Sequence, residues 1–183
     1  MNVYLTGPQF GLAERRFIED FAKILEHCYM PLQVILAQDR GAESCTTPDH
    51  AECLCCVALD AIDRSDTLVA MLDGADADSG TCIEMGYAKG KGKFVIGVRT
   101  DFRAGEDRGL NLMVSNICTA LIVRKGKATV LPELAEEVAD VLARHERPVA
   151  PDNVVTSAHR VQHAHEERHQ GFSPNPHATL TAY

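Results

Sequence analysis

No apolar run in this chain reaches the roughly 18 residues that a membrane-spanning helix requires. The opening MNVYLTGPQF lacks a basic region followed by an apolar stretch, so no signal peptide is expected. Positive charge is in deficit: 18 Lys and Arg stand against 26 Asp and Glu, a formal net charge of −8. An acidic surface argues against nucleic acid or an anionic membrane as the main partner. It leaves room for a small nucleoside, which is read by local groups. No G-x-G-x-x-G follows the first apolar strand and there is no Walker lysine. A Rossmann dinucleotide site is therefore not expected.

What is present describes a soluble domain with its own core. The chain has 183 residues, 45% of them apolar and 24% charged. The seven cysteines are Cys28, Cys45, Cys53, Cys55, Cys56, Cys82 and Cys118. An odd number in a chain of this size points to reduced thiols and a cytoplasmic location. The cluster HAECLCC raises a zinc reading through His50, Cys53, Cys55 and Cys56. Adjacent Cys55 and Cys56 would project in different directions from a helix, and no second Cys/His pair at finger-like spacing follows. Half-buried helical thiols are the expectation, with no metal and no cofactor.

Apolar runs at Val3–Gly7, Leu32–Ala37, Thr67–Asp73, Lys93–Val98 and Asn116–Val123 read as strands. Between the early ones, Leu12, Phe17, Phe21, Ile24 and Leu25 recur at helical spacing, Pro48 can open a helix reaching Arg64, and TCIEMGYAKG reads as a helix ending near Gly90 or Gly92. RTDFRAGEDRGLNLM is a long loop, and Pro132–His145 is an amphipathic closing helix. Strands alternating with helices predict an α/β fold, a five-stranded parallel sheet covered on both faces, Rossmann-like in class. The flavodoxin-like order 2-1-3-4-5 is the default, with a topological switch between the first and third strands. Residues 1–145 form the expected domain. From about Glu146 the chain is rich in Pro and His and reads as an extension over 146–183. His159/His163 and His165/His169 are i,i+4 pairs there, expected to be solvated.

The switch point selects TGPQF and DGADADSGTCIE as site loops. In the second, Asp78-Ser79-Gly80 can turn and cap the following helix, whose first turns hold Glu84. The helix dipole there favours an ionised carboxylate. Paired carboxylates are the usual equipment for cleaving a glycosidic bond. Acids also stand at helix starts for stability alone, so spacing leaves both readings open. Asp76 is expected to be solvated.

VYLTGPQF, SDTLVAMLDGADADSGTCIEMGYAKGKGKFVIGVRTDFR and NLMVSN resemble the nucleoside 2-deoxyribosyltransferase family, from Val3 to about Val123. The most specific part is D-x-G-T-x-x-E-x-G-Y-A, Asp78 to Ala88. The resemblance implies exchange of the nucleobase of 2′-deoxyribonucleosides with retention, through a covalent deoxyribosyl-enzyme. It makes Glu84 the nucleophile, Tyr4 the residue that orients it, and Asp78 the group that binds the base and helps protonate it. It implies that Asn111 reaches the sugar hydroxyl from a neighbouring subunit, so sites would be shared in a homo-oligomer, and that Met113 lines the same pocket. Gly7, Gly80 and Gly86 would let backbone come close to ligand or helix. Family members carry a base-contacting aspartate where this chain has Ala58. Asp60 faces roughly 200° away on a helix, and substitutes only if the helix is displaced. Members often end in a tyrosine that enters a neighbour's site, and this chain ends in Tyr183. Related nucleotide hydrolases carry a serine at the position of Asn111 and a Gly/Arg-rich first loop. Both departures favour a nucleoside transferase, although Arg99 and Arg103 offer a means to hold a phosphate. Hydrolysis is the alternative, followed by a non-catalytic nucleoside sensor.

Overall fold

The computed structural model describes residues 1–37, 50–103, 109–124 and 130–146. The predicted extension over 146–183 lies outside them after Glu146, and with it Tyr183 and the histidine pairs. Pro48 and Cys45 also lie outside, and the side chains of His50 and Cys53 are not described.

The five strands are β1 (Asn2–Thr6), β2 (Gln33–Leu36), β3 (Thr67–Met71), β4 (Phe94–Arg99) and β5 (Ala120–Val123). All pairings are parallel and the order is β2-β1-β3-β4-β5, the flavodoxin-like order expected from the sequence. Among the described residues the helices are α1 (Leu12–Cys28), α2 (His50–Asp63), α3 (Ser79–Gly90), α4 (Leu112–Ile117) and α5 (Leu131–Glu146). None is long and apolar enough to cross a membrane.

Side chains alternate across a strand, and this divides the core in two. Val3, Leu5, Val69, Met71, Ile96 and Val98 point to one face and pack with Ile18, Phe21 and Leu25 of α1 and Leu134, Val138 and Leu142 of α5. Tyr4, Leu68, Ala70 and Val95 point to the other, against Ala61 and Ile62 of α2 and Met85 and Ala88 of α3. Apolar residues occupy both sides of the central strands, which is why those strands read as continuous runs rather than alternating ones. Register between β1 and β3 is reinforced at their starts. Asp66 N donates to Asn2 O at 2.8 Å, and Asn2 N donates to the Asp66 carboxylate at 2.7 Å.

The structure corrects the sequence reading at several points. Asn116 and Ile117 belong to α4, not to the fifth strand, which begins at Ala120. The apolar run concealed a short helix and a turn. Leu12 is exposed, and Ile18 and Ala22 complete the buried stripe of α1 instead. Cys55 and Cys56 are exposed rather than half-buried.

At the carboxyl end of β1 the backbone turns at Gly7. A Cβ there would lie 2.8 Å from the Met71 Cβ and 3.3 Å from the Met71 carbonyl oxygen. Those atoms belong to the neighbouring strand or sit next to its backbone, so they have little room to yield. Gly7→Ala is expected to destabilise the protein by about 1–3 kcal/mol through overpacking. An unchanged midpoint of thermal unfolding would contradict this close approach.

Candidate active site

The loop after β3 is fixed before it reaches the cleft. Asp73 accepts from Thr100 N at 2.6 Å, from Asp101 N at 2.8 Å and from the Thr100 hydroxyl. Arg99 is buried, and its guanidinium donates to the Leu72 carbonyl and, at 3.1 Å, to the Gly74 carbonyl. Gly74 N in turn donates to Asp101 at 3.1 Å, from a residue at φ 138 that a side chain would strain. These bonds fasten the loop carrying Asp78 to the end of β4.

Asp78 is the N-cap of α3. Its Oδ2 accepts from Thr81 N at 2.8 Å and from the Thr81 hydroxyl at 3.0 Å. The cap satisfies a backbone donor that a helix start leaves unpaired. Gly80 permits it, because a Cβ there would stand 3.2 Å from that same oxygen. With α3 started at Ser79, Glu84 falls on the turn that faces β1. The Tyr4 hydroxyl donates to Glu84 Oε1 at 3.0 Å, and the Thr6 hydroxyl donates to Oε2.

A cleft of about 250 Å³ opens over this pair of elements. Thr6, Gly7, Gln9 and Phe10 line it from the β1–α1 connection, and Asp78, Gly80, Thr81 and Glu84 from α3, with Ala37 beyond β2. This is the crevice past the carboxyl ends of β1 and β3, at the reversal of strand order. The structure thus brings Tyr4, Gly7, Asp78, Gly80 and Glu84 together. Tyr4 is fully buried among core residues, and it also contacts Glu84, so its two readings hold at once.

Other expected residues stand elsewhere in this chain. Asp60 is exposed and paired with Arg64 one turn on. Asn111 caps α4, its side-chain oxygen accepting from Met113 N at 2.8 Å, and Met113 is 76% exposed. Neither lines the cleft with Glu84. Arg103 is ion-paired with Asp101, whose carboxyl it holds well below the usual carboxylate range. With Arg99 buried on carbonyl groups, neither arginine lines the cleft. Asp76 is exposed, and accepts from Ala77 N at 2.9 Å.

Thr6, Gln9, Phe10 and Thr81 lie in the loops selected from the sequence but had no individual role there, and Ala37 was not singled out. A signal existed for Thr6: it stands two residues beyond Tyr4 and shares its face of the strand. The helix start is one of several influences on Glu84. Burial pushes its pKa up, bonds from Thr6 and Tyr4 push it down, and nearby Asp78 pushes it up again; the net direction is up.

The family model for nucleoside 2-deoxyribosyltransferase matches residues 3–113. The chain belongs to the nucleoside 2-deoxyribosyltransferase family. Membership supports an enzyme acting on nucleosides, as a transferase or an N-glycosidase. Two solved structures show the shared fold. A conserved protein from Enterococcus faecalis V583 is 23% identical with a TM-score of 0.63, over 77% of this chain and 98% of that one. A 2-deoxyribosyltransferase from Bacillus psychrosaccharolyticus is 17% identical with a TM-score of 0.58, over 74% of this chain and 90% of that one. No curated protein sequence matches significantly.

The raised pKa of Glu84 has a consequence for stability. At a pH below the unfolded-state value the carboxyl is neutral in both states and carries no ionisation penalty. As pH rises through the folded-state value, the ionised form is less favoured in the folded chain, and stability is lost. Glu84→Gln is therefore expected to raise the thermal midpoint at neutral pH, with the gain closing as pH falls through the carboxylate range. A difference that does not vary with pH would contradict this.

Proposed function

We propose that the protein is a nucleoside 2-deoxyribosyltransferase. It exchanges the base of a 2′-deoxyribonucleoside by two successive displacements at C1′. The observation that carries this reading is the Glu84 carboxylate, held in the cleft by hydroxyls from Tyr4 and Thr6. A carboxylate so positioned is a nucleophile for an oxocarbenium-like centre. Glu84 attacks C1′ as the bond to the base nitrogen breaks. The departing base gains a proton by way of Asp78. An acceptor base then attacks the same carbon, and the β-configuration is retained. Burial of Glu84 strips water from the nucleophile and strengthens every polar interaction around it.

Supporting the nucleoside over the nucleotide is the charge of the cleft. Its described lining has two carboxylates, Asp78 and Glu84, and no Lys or Arg. A 5′-phosphate would meet repulsion there, and Arg99 and Arg103 are held by other partners. Asn111 and Met113 are exposed and outside the described lining of the cleft, as residues serving a neighbouring subunit's site would be. The working unit in this reading is a homo-oligomer with shared sites.

The test is incubation with deoxyinosine or thymidine, with and without adenine or cytosine, and identification of the products. A new deoxynucleoside is the expected outcome. Free deoxyribose without exchange would assign hydrolysis, and tight binding with neither product would assign a sensor. Glu84→Ala is expected to lose nearly all turnover while remaining folded; a wild-type rate would overturn the mechanism. Asn111→Ala is expected to lower activity, and mixing it with Glu84→Ala to restore some of what was lost. Absence of recovery would argue for sites complete within one subunit.

A further inference from the structure

Tyr4 and Thr6 hold the same carboxylate from one face of β1, but from different surroundings. Tyr4 is fully buried and donates to Oε1, whereas Thr6 lines the cleft and donates to Oε2. Thr6 is itself 2% exposed, so what separates the two oxygens is that Oε2 is paired with a residue of the cleft lining and Oε1 with one outside it.

We propose that Thr6 is a positioning residue that presents Oε2 of Glu84 as the attacking atom, while Tyr4 holds Oε1 as the oxygen that becomes the ester carbonyl. The proposal rests on the transferase reading above. A carboxylate oxygen has two lone pairs in its plane. The Thr6 hydroxyl takes one on Oε2 and leaves the other for C1′. In the first displacement that pair forms the Oε2–C1′ bond, and the C1′–N bond breaks with its electrons on the base. The departing base gains one proton, relayed by Asp78. In the second displacement a nitrogen of the acceptor base attacks C1′, the Oε2–C1′ bond breaks with its electrons returning to Oε2, and the acceptor gives up one proton. Thr6 keeps its own proton throughout. Its bond holds back attack slightly and assists departure, because charge returns to the atom it touches. Deleting it leaves the attacking oxygen unaligned and makes Glu84 a poorer leaving group.

The groups acting on Glu84 come from both packed elements: Tyr4 and Thr6 from β1, and Asp78 from the start of α3. Tyr4 and Thr6 favour the ionised form, and Asp78 with burial opposes it. Removing the Thr6 hydroxyl should therefore raise the pH at which Glu84 ionises.

The experiment compares Thr6→Val, close in shape but without the hydroxyl, with Thr6→Ser, which keeps it. Base exchange by Thr6→Val is expected to fall about ten- to a hundredfold in kcat, the loss of one hydrogen bond to a charged group. The acid limb of its kcat/KM profile should move to higher pH, and intact mass should show more deoxyribosyl-enzyme at steady state. Thr6→Ser should restore all three. Should valine not be accommodated, Thr6→Ala carries the same expectations. Wild-type rate and pH profile in Thr6→Val, or a serine variant as impaired as the valine one, would overturn the proposal. The Glu84 carboxyl titration, followed by 13C NMR without substrate, separates this idea from the transferase reading. A wild-type chain that exchanges no base sinks that reading alone. A Glu84 titration identical in wild type and Thr6→Val sinks the role of Thr6.

Discussion

Glu84 belongs to α3, yet both hydroxyls that hold its carboxylate come from β1, 80 and 78 residues away in sequence. A half-buried carboxylate is tolerated only where donors replace the water it has lost. That requirement ties the site to the sheet order. β1 must lie beside β3, so that the helix following β3 can bring Glu84 over the Tyr4 face of β1. Were the strand order simply sequential, β2 would lie between them and the two hydroxyls would be out of reach.

The end of β4 holds the other side of the cleft in place. Arg99, Thr100 and Asp101 hold Asp73 and Gly74 at the start of the β3–α3 loop through hydrogen bonds to backbone and side chain. Arg99 is buried, and its Nε has no partner among the described residues. A catalytic carboxylate must keep its position to within about 0.5 Å and its orientation to within about 10–20°, and rigid elements supply that better than a loop. The arrangement also engages Arg99 with the carbonyls of Leu72 and Gly74 and Arg103 with Asp101.

Much of the fold was legible because local physics and tertiary packing agree in the central strands and long helices. Val69, Ile96 and Val98 form apolar runs because the sheet is covered on both faces. The Asp78 cap was readable from the spacing of Asp-Ser-Gly-Thr before an apolar helix. Legibility failed where a short element hid in an apolar run. Leu112–Ile117 has no buried residue, so no periodic stripe marks it as a helix. Thr6 lay in a selected loop without a role of its own, because its contact is made from β1 to α3 and a threonine ending a strand carries no local mark of it.

The sequence alone determined the alternation of elements, the strand order to expect, the location of the cleft loops and the chemical types within them. Those follow from periodicity, caps and connection rules that act over a few residues. Tertiary structure decided which groups meet. It placed Tyr4 and Thr6 on opposite oxygens of Glu84, turned Arg99 inward, and set Asp60 on an exposed face with Arg64. It also set burial and Asp78 against the hydroxyls of Tyr4 and Thr6 at Glu84, because desolvation depends on everything packed around the carboxylate and a helix start describes only its own dipole.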